Sequence, residues 1–216
     1  MNKLLIIGQV WPEPTSSAAG TRMIQLIDCF KNAEFEITFA CAASKSDFSF
    51  ELISKNVNEV EITLNDESFN VFVRELNPEM VLFDRFMIEE QYGWRVSKEC
   101  PNTLKILDTE DLHFLRNARQ EASKKRIEFT DDLLFSDLAK REIASILRCD
   151  LSLIISKIEI EILQNQFKIE EEILHYLPFL EEKIEEEKII SWKNFEDREH
   201  FMFIGNFIHE PNFNCV

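Results

Sequence analysis

Chemistry in this sequence is concentrated in ILDTEDLHFLRNARQ, residues 106–120. Two carboxylates, Asp108 and Asp111, stand close to the imidazole of His113, with Arg116 and Arg119 following. A histidine in such a place can act as an acid or base, hold a sugar hydroxyl, or simply pack. Either aspartate can instead cap the helix that begins here. A second group lies in GQVWPEPTSSAAGTR, residues 8–22. Its small residues, Ser16 to Gly20, lead into a helical pattern, and a helix N-terminus offers free amides and partial positive charge to a phosphate or a hydroxyl. On that reading Gly20 lets the backbone approach a ligand, Ser17 or Thr21 caps, and Arg22 adds charge. A plain capped helix start explains the same residues. The third group is Asp84 and Arg85 in LFDRF, which serve equally as ligand groups, as an ion pair or as a turn.

Several chemistries are disfavoured by what the chain lacks. There is no G-x-G-x-x-G and no G-x-x-x-x-G-K-[ST], which argues against a nicotinamide dehydrogenase and a P-loop enzyme. No G-x-S-x-G elbow follows a strand-like run, so a Ser-His-Asp hydrolase is a poor fit. The four histidines, 113, 175, 200 and 209, lack ligand spacing, and no metal is expected.

The elements that position these residues follow from periodicity. KLLIIGQV (3–10) is nearly continuous in apolar residues, as a strand buried on both faces is. Met23, Ile24, Ile27 and Phe30 then recur at helical spacing. Further strands are expected at 36–41, 60–64, 80–84, 105–108, 151–156 and 172–178. Helices are expected at 68–76, 86–99, 112–125, 131–147 and 158–165, the fourth with a stripe of Phe135, Leu138, Ile143, Ile146 and Leu147. Alternation of this kind predicts an α/β domain, a Rossmann-like parallel sheet with helices on both faces, whose ligand crevice lies beyond the carboxyl ends of the strands. The predicted organisation is a domain over 1–180, a linker over 181–200 containing the acidic, helix-like FLEEKIEEEK tail, and the first strand of a second domain over 201–216.

Twenty-four basic against 40 acidic residues give a formal charge of −16, which excludes general nucleic-acid binding. A local basic cluster, Arg116, Arg119, Lys124, Lys125 and Arg126, is either a solvated helix face or a point of peripheral contact with an anionic membrane. The cysteines, at 29, 41, 100, 149 and 215, are scattered, without C-x-x-C spacing, and read as small buried hydrophobes in a reducing compartment. With no signal segment or spanning run, the expected location is the cytoplasm, with room for contact at the inner membrane face.

The order of motifs resembles the N-terminal half of group 1 (family 4) retaining glycosyltransferases of the GT-B architecture. The matching pieces are a loop with Pro14 and Gly20 after the first strand, then ILDTEDLHFLRNAR, then RCDLSLIISKIEIEIL with Asp150, Ser156, Glu159 and Leu163, and finally FIGNFIHEPNFN with His209 and Pro211. Together they span nearly the whole chain. Relatives usually carry two adjacent glycines in the first loop, where this chain has Ala19-Gly20.

The resemblance implies an acceptor-side domain that passes a sugar, with retention, from a nucleotide-sugar to a glycan or lipid-linked acceptor. It implies no cofactor, the nucleotide-sugar being a co-substrate held mainly by a C-terminal domain this chain lacks, so the isolated chain is expected to be inactive. It makes His113 the sugar-contacting candidate and adds Ser156 to Ser17, Ala19, Gly20, Thr21, Arg22, Asp84, Arg85, Asp108, Asp111 and Arg116 as substrate-binding candidates. Two alternatives stand beside it. One is a non-catalytic Rossmann-like binding module that needs a partner chain, with self-association through an exposed strand near Phe201 to Phe207. The other is an α/β enzyme such as a sugar-nucleotide epimerase, which the missing dinucleotide loop disfavours.

Overall fold

KLLIIG is apolar throughout its interior because strand β1 (Lys3–Gly8) sits in the middle of a sheet, flanked by β2 (Glu36–Cys41) and β4 (Met80–Asp84). The computed structural model describes residues 2–181 and 183–205. Its other strands are β3 (Asn58–Glu61), β5 (Leu104–Asp108), β6 (Leu151–Ile154) and β7 (Leu174–Tyr176), and all pair in parallel in the order β3-β2-β1-β4-β5-β6-β7. The order reverses between β1 and β4, which makes the gap above their carboxyl ends the topological switch point.

Six helices connect the strands: α1 (Ala18–Asn32), α2 (Ser68–Leu76), α3 (Phe86–Glu99), α4 (His113–Lys125), α5 (Asp137–Arg148) and α6 (Lys157–Phe167). Successive strand residues point to opposite faces. Leu4, Ile6 and Leu82 therefore meet Met23, Leu26 and Ile27 of α1 on one side. Leu5, Ile7, Val81 and Phe83 meet α2 to α6 on the other, through residues such as Phe69, Tyr92, Leu115, Ile146 and Leu163. The expected α/β class, a parallel sheet wrapped on both faces, is the one observed.

Several boundaries differ from expectation. The edge strand β3 spans 58–61 rather than 60–64, and β7 is reduced to three residues by a 3₁₀ turn at Glu171–Ile173. The helix expected over 131–147 divides into a 3₁₀ turn, Asp131–Leu134, and α5, because the Ser136 side chain caps the latter by accepting from the Ala139 amide at 3.2 Å. Phe135 and Leu147 are exposed, while Ile146 is buried and Leu138 and Ile143 pack against the core as expected; Ala139, Glu142 and Ser145 complete the inward face of α5.

The acidic run forms only a five-residue helix, α7 (Glu186–Ile190), with 179–181 and 183–185 non-helical. Residues 201–205 carry no strand, and the rest of the strand expected over 201–216, with His209 and Pro211, lies outside the described residues. Cys41, Cys100 and Cys149 are buried as expected, but Cys29 is exposed because it faces away from the sheet on α1; Cys215 lies outside the described residues.

Candidate functional site

Above the β1/β4 switch point lies a cleft of about 220 Å³, walled by Val10 to Glu13, Ser17, Ala19, Gly20 and Met23 and floored by Asp84, Arg85 and Glu110. One wall is fixed by Trp11, which is buried, donates its indole N–H to the Ala43 carbonyl at 2.7 Å and packs on Phe39 at 5.5 Å. The helix start is capped by Ser17, whose hydroxyl accepts from the Gly20 amide at 3.0 Å. Thr21 does not cap. Its hydroxyl donates to the Pro14 carbonyl at 3.0 Å and so holds the turn closed.

Gly20 has an internal reason to be glycine. A Cβ there would run into the backbone of Glu13, so the residue serves the packing of the turn on α1, where the sequence suggested approach to a ligand. Glu13 in turn accepts from the hydroxyls of Ser16, at 2.7 Å, and of Ser46.

Arg22 and Asp108 are inside the protein, paired with each other. Arg22 Nε lies 3.1 Å from both carboxylate oxygens and Nη2 lies 2.9 Å from Oδ1, with the side chains 1% and 0% exposed. Arg22 Nη1 also donates to the carbonyls of Leu177 and Pro178, at 2.9 and 3.2 Å. The pair ties α1 to β5 and to the chain leaving β7, rather than offering charge to the cleft. Burial pushes the Asp108 carboxyl upward, against the pull of Arg22.

The floor is different in kind. Asp84 Oδ2 accepts from the Gln9 amide at 2.9 Å, while its buried Oδ1 has no partner among the described residues. Arg85 adopts φ 74° and ψ 157°, a region that only glycine enters without strain, and such strain costs about 1–3 kcal/mol. It is held there by its amide donating to the Asp108 carbonyl at 2.8 Å and by Nη1 donating to Gln9 Oε1 at 2.6 Å. Facing it, Glu110 also has positive φ, 64°. Burial, opposed by Arg85, raises the Glu110 carboxyl from 4.5 to about 7.

Beside the cleft, and not lining it, His113 packs edge-on against Phe86 at 5.4 Å, with Nε2 3.7 Å from Asp111 Oδ1. Burial, then the positive charge of Arg116, lowers its pKa to about 4, so the ring is neutral at physiological pH. Asp111 pairs with the half-exposed Arg116 at 3.2 Å. Neither Asp108 nor Asp111 caps α4. The free amides of His113 and Phe114 donate instead to Glu142 of α5, at 3.1 and 2.9 Å, and the Leu112 amide donates to Glu159 of α6 at 3.0 Å. Burial raises both carboxyls, Glu142 to about 7. Ser156 stands at the N-terminus of α6 without a side-chain capping bond, apart from the cleft.

The site thus gathers Ser17, Ala19, Gly20, Asp84 and Arg85, adds Glu110, and leaves Thr21, Arg22, Asp108, Asp111, His113, Arg116 and Ser156 outside its lining. Glu110 was legible, since it sits in the same strand-end loop as Asp108 and Asp111. The signal for Glu142 was its place one turn from Leu138 and Ile146, a carboxylate inside an apolar stripe. Among the described residues no group of His, Cys, Asp and Glu is arranged to hold a metal ion.

Comparison with solved structures places the architecture. The chain is similar to the apo form of the lipopolysaccharide outer core galactosyltransferase WaaB, with a TM-score of 0.50 and 16% identity over 82% of this chain and 46% of that one. It is also similar to sucrose-phosphate synthase from Thermosynechococcus elongatus, with a TM-score of 0.51 and 10% identity over 82% of this chain and 48% of that one. The fold is a GT-B half. The chain spans about half the length of each of these proteins. No family model matches it, and no curated protein matches it significantly. In this half-fold the cleft sits at the mouth of β1 and β4, the switch point at which open α/β sheets bind their ligands.

Proposed function

We propose that the chain is the acceptor-side half of a group 1, family 4 retaining glycosyltransferase, moving a sugar from a nucleotide-sugar to a glycan or lipid-linked acceptor. The observation that carries the reading is a cleft with largely apolar walls and a charged floor at the switch point of a GT-B half-fold. The N-terminal end of α1 lines that cleft through Ser17, Ala19 and Gly20, and Arg85 lies on its floor. Neutral His113 stands beside it, able to take part in a hydrogen bond without carrying charge. The diphosphate of the donor would be held mainly by a second domain, and the isolated chain would not turn over. No cofactor is invoked.

The test is transfer by the native gene product and by the 216-residue chain, side by side, from UDP-, GDP- and ADP-hexoses to glycan and glycolipid acceptors. Transfer by the native product alone is expected. Transfer by the chain alone, or by neither with every donor and acceptor, refutes the proposal. A second reading, a binding module completed by a partner chain, draws on the full exposure of Phe201, Met202 and Ile204. A mass that rises with concentration in solution would favour it.

A further inference from the structure

At the floor of the cleft, donors and acceptors of opposite kind face each other unused. Arg85 Nη2 lies 3.7 Å from Glu110 Oε2, too far for a hydrogen bond, and neither atom makes one elsewhere among the described residues. Glu110 accepts no hydrogen bond among the described residues: its Oε1 is buried without a partner there, although the side chain is only 11% exposed. Beneath them Asp84, whose side chain is 7% exposed, lines the same cleft with Oδ1 unpartnered among the described residues. Buried polar groups are almost always satisfied, so a group left open in a cleft points to what fills it.

The chemistry of the filler is narrow. A phosphate oxygen accepts from Arg85 but is repelled by Glu110 and Asp84. An ammonium satisfies the carboxylates and is repelled by Arg85. A hydroxyl does both, donating to Glu110 and accepting from Arg85. The carboxyl of Glu110 turns about a soft terminal torsion, so it can meet that hydroxyl without a change of rotamer.

We propose that Arg85 and Glu110 form a hydroxyl-recognition pair, bridged by one hydroxyl of a neutral sugar ring, and that Glu110 is the residue that excludes phosphate from this floor. The proposal rests on the transferase reading and assigns the cleft to the neutral acceptor, leaving the anionic donor to other surfaces. It also gives the strained backbone of Arg85 a purpose, since that conformation aims the guanidinium across the cleft at Glu110.

The experiment is NMR titration of the ¹⁵N-labelled chain with methyl glycosides of the common hexoses and, at equal ionic strength, with inorganic pyrophosphate. Glycosides are expected to shift the amides of Gly20, Arg85 and Glu110 in the millimolar range, with pyrophosphate leaving them in place. Glu110→Ala should weaken the glycoside by about tenfold or more, as loss of a hydrogen bond to a charged group does. Glu110→Gln, which keeps the shape, should weaken it too and admit pyrophosphate. Glycoside binding unchanged in both variants overturns the role of Glu110. Pyrophosphate binding to the unaltered chain in place of glycosides overturns the inference while leaving the transferase reading intact. No shift with any glycoside overturns the inference as well, and transfer by the native product then decides the transferase reading separately.

Discussion

Replacing Glu110 by Gln should make the protein more stable, and more so as the pH rises. The folded-state pKa of Glu110 lies at about 7, above its ordinary 4.5, because burial disfavours the charged form. A raised carboxylate pKa means that the folded state holds the proton more tightly than the unfolded chain. Its contribution is therefore fully present below pH 4.5 and is lost as the pH rises through about 7. At about 1.4 kcal/mol per unit, the loss approaches 3 kcal/mol at pH 8, most of it setting in between pH 5 and 8. Glutamine keeps the shape and carries no charge, and among the described residues no hydrogen bond of Glu110 is broken by the change. At about 2–4 °C per kcal/mol for a domain of this size, the melting-temperature gap between Glu110→Gln and the unaltered protein should widen by roughly 5–10 °C from pH 5 to pH 8. Thermal unfolding followed by circular dichroism at both pH values measures it. A gap that stays constant with pH would refute the reasoning, because it would mean that Glu110 does not titrate in the folded state near neutrality.

Other expectations concern the supports of the site. Glu142→Ala should cost about 2–5 kcal/mol in urea unfolding, since the amides of His113 and Phe114 lose their acceptor; an unchanged midpoint would show that α4 needs no clamp. Gly20→Ala should destabilise by about 1–3 kcal/mol through collision with the Glu13 backbone, and a crystal structure of the variant should show the 12–14 turn displaced. Arg22→Met should cost about 3–5 kcal/mol by leaving Asp108 buried and unpaired, and Asp108→Asn added to it should recover part of that loss.

The fold was readable because its signals are local and repeated. The buried strands announce themselves as continuous apolar runs, as in KLLIIG, and MVLFD and the helix over 68–76 fell where their patterns put them. The site was readable only to the level of loops. Asp84 and Arg85 were found because a strand-end position is a fact of sequence. Whether Arg22 turns inward or outward is decided by Asp108 and by two carbonyls beyond β7, contacts that no spacing reveals. The same holds for the cap of α4, where a nearby aspartate was the natural choice and carboxylates from two later helices do the work. Gly20 carried a misleading signal, since close approach of a turn and of a ligand demand the same residue.

The hydrogen bonds of Arg22 also bear on how this chain is made. Its guanidinium joins residues separated by 86 positions in the case of Asp108 and by 155 in the case of Leu177. On a ribosome, α1 emerges long before either partner, so its buried face must wait, with an unpaired cation in it, until the end of β7 has been synthesised. Contacts of such long range are slow to close and leave apolar surface open meanwhile. Nascent chains halted before Leu177 and Pro178 clear the ribosomal exit tunnel should therefore be protease-sensitive at α1, and those in which both have emerged should be protected, which would place the completion of this side chain's bonds late in the folding of the domain during translation.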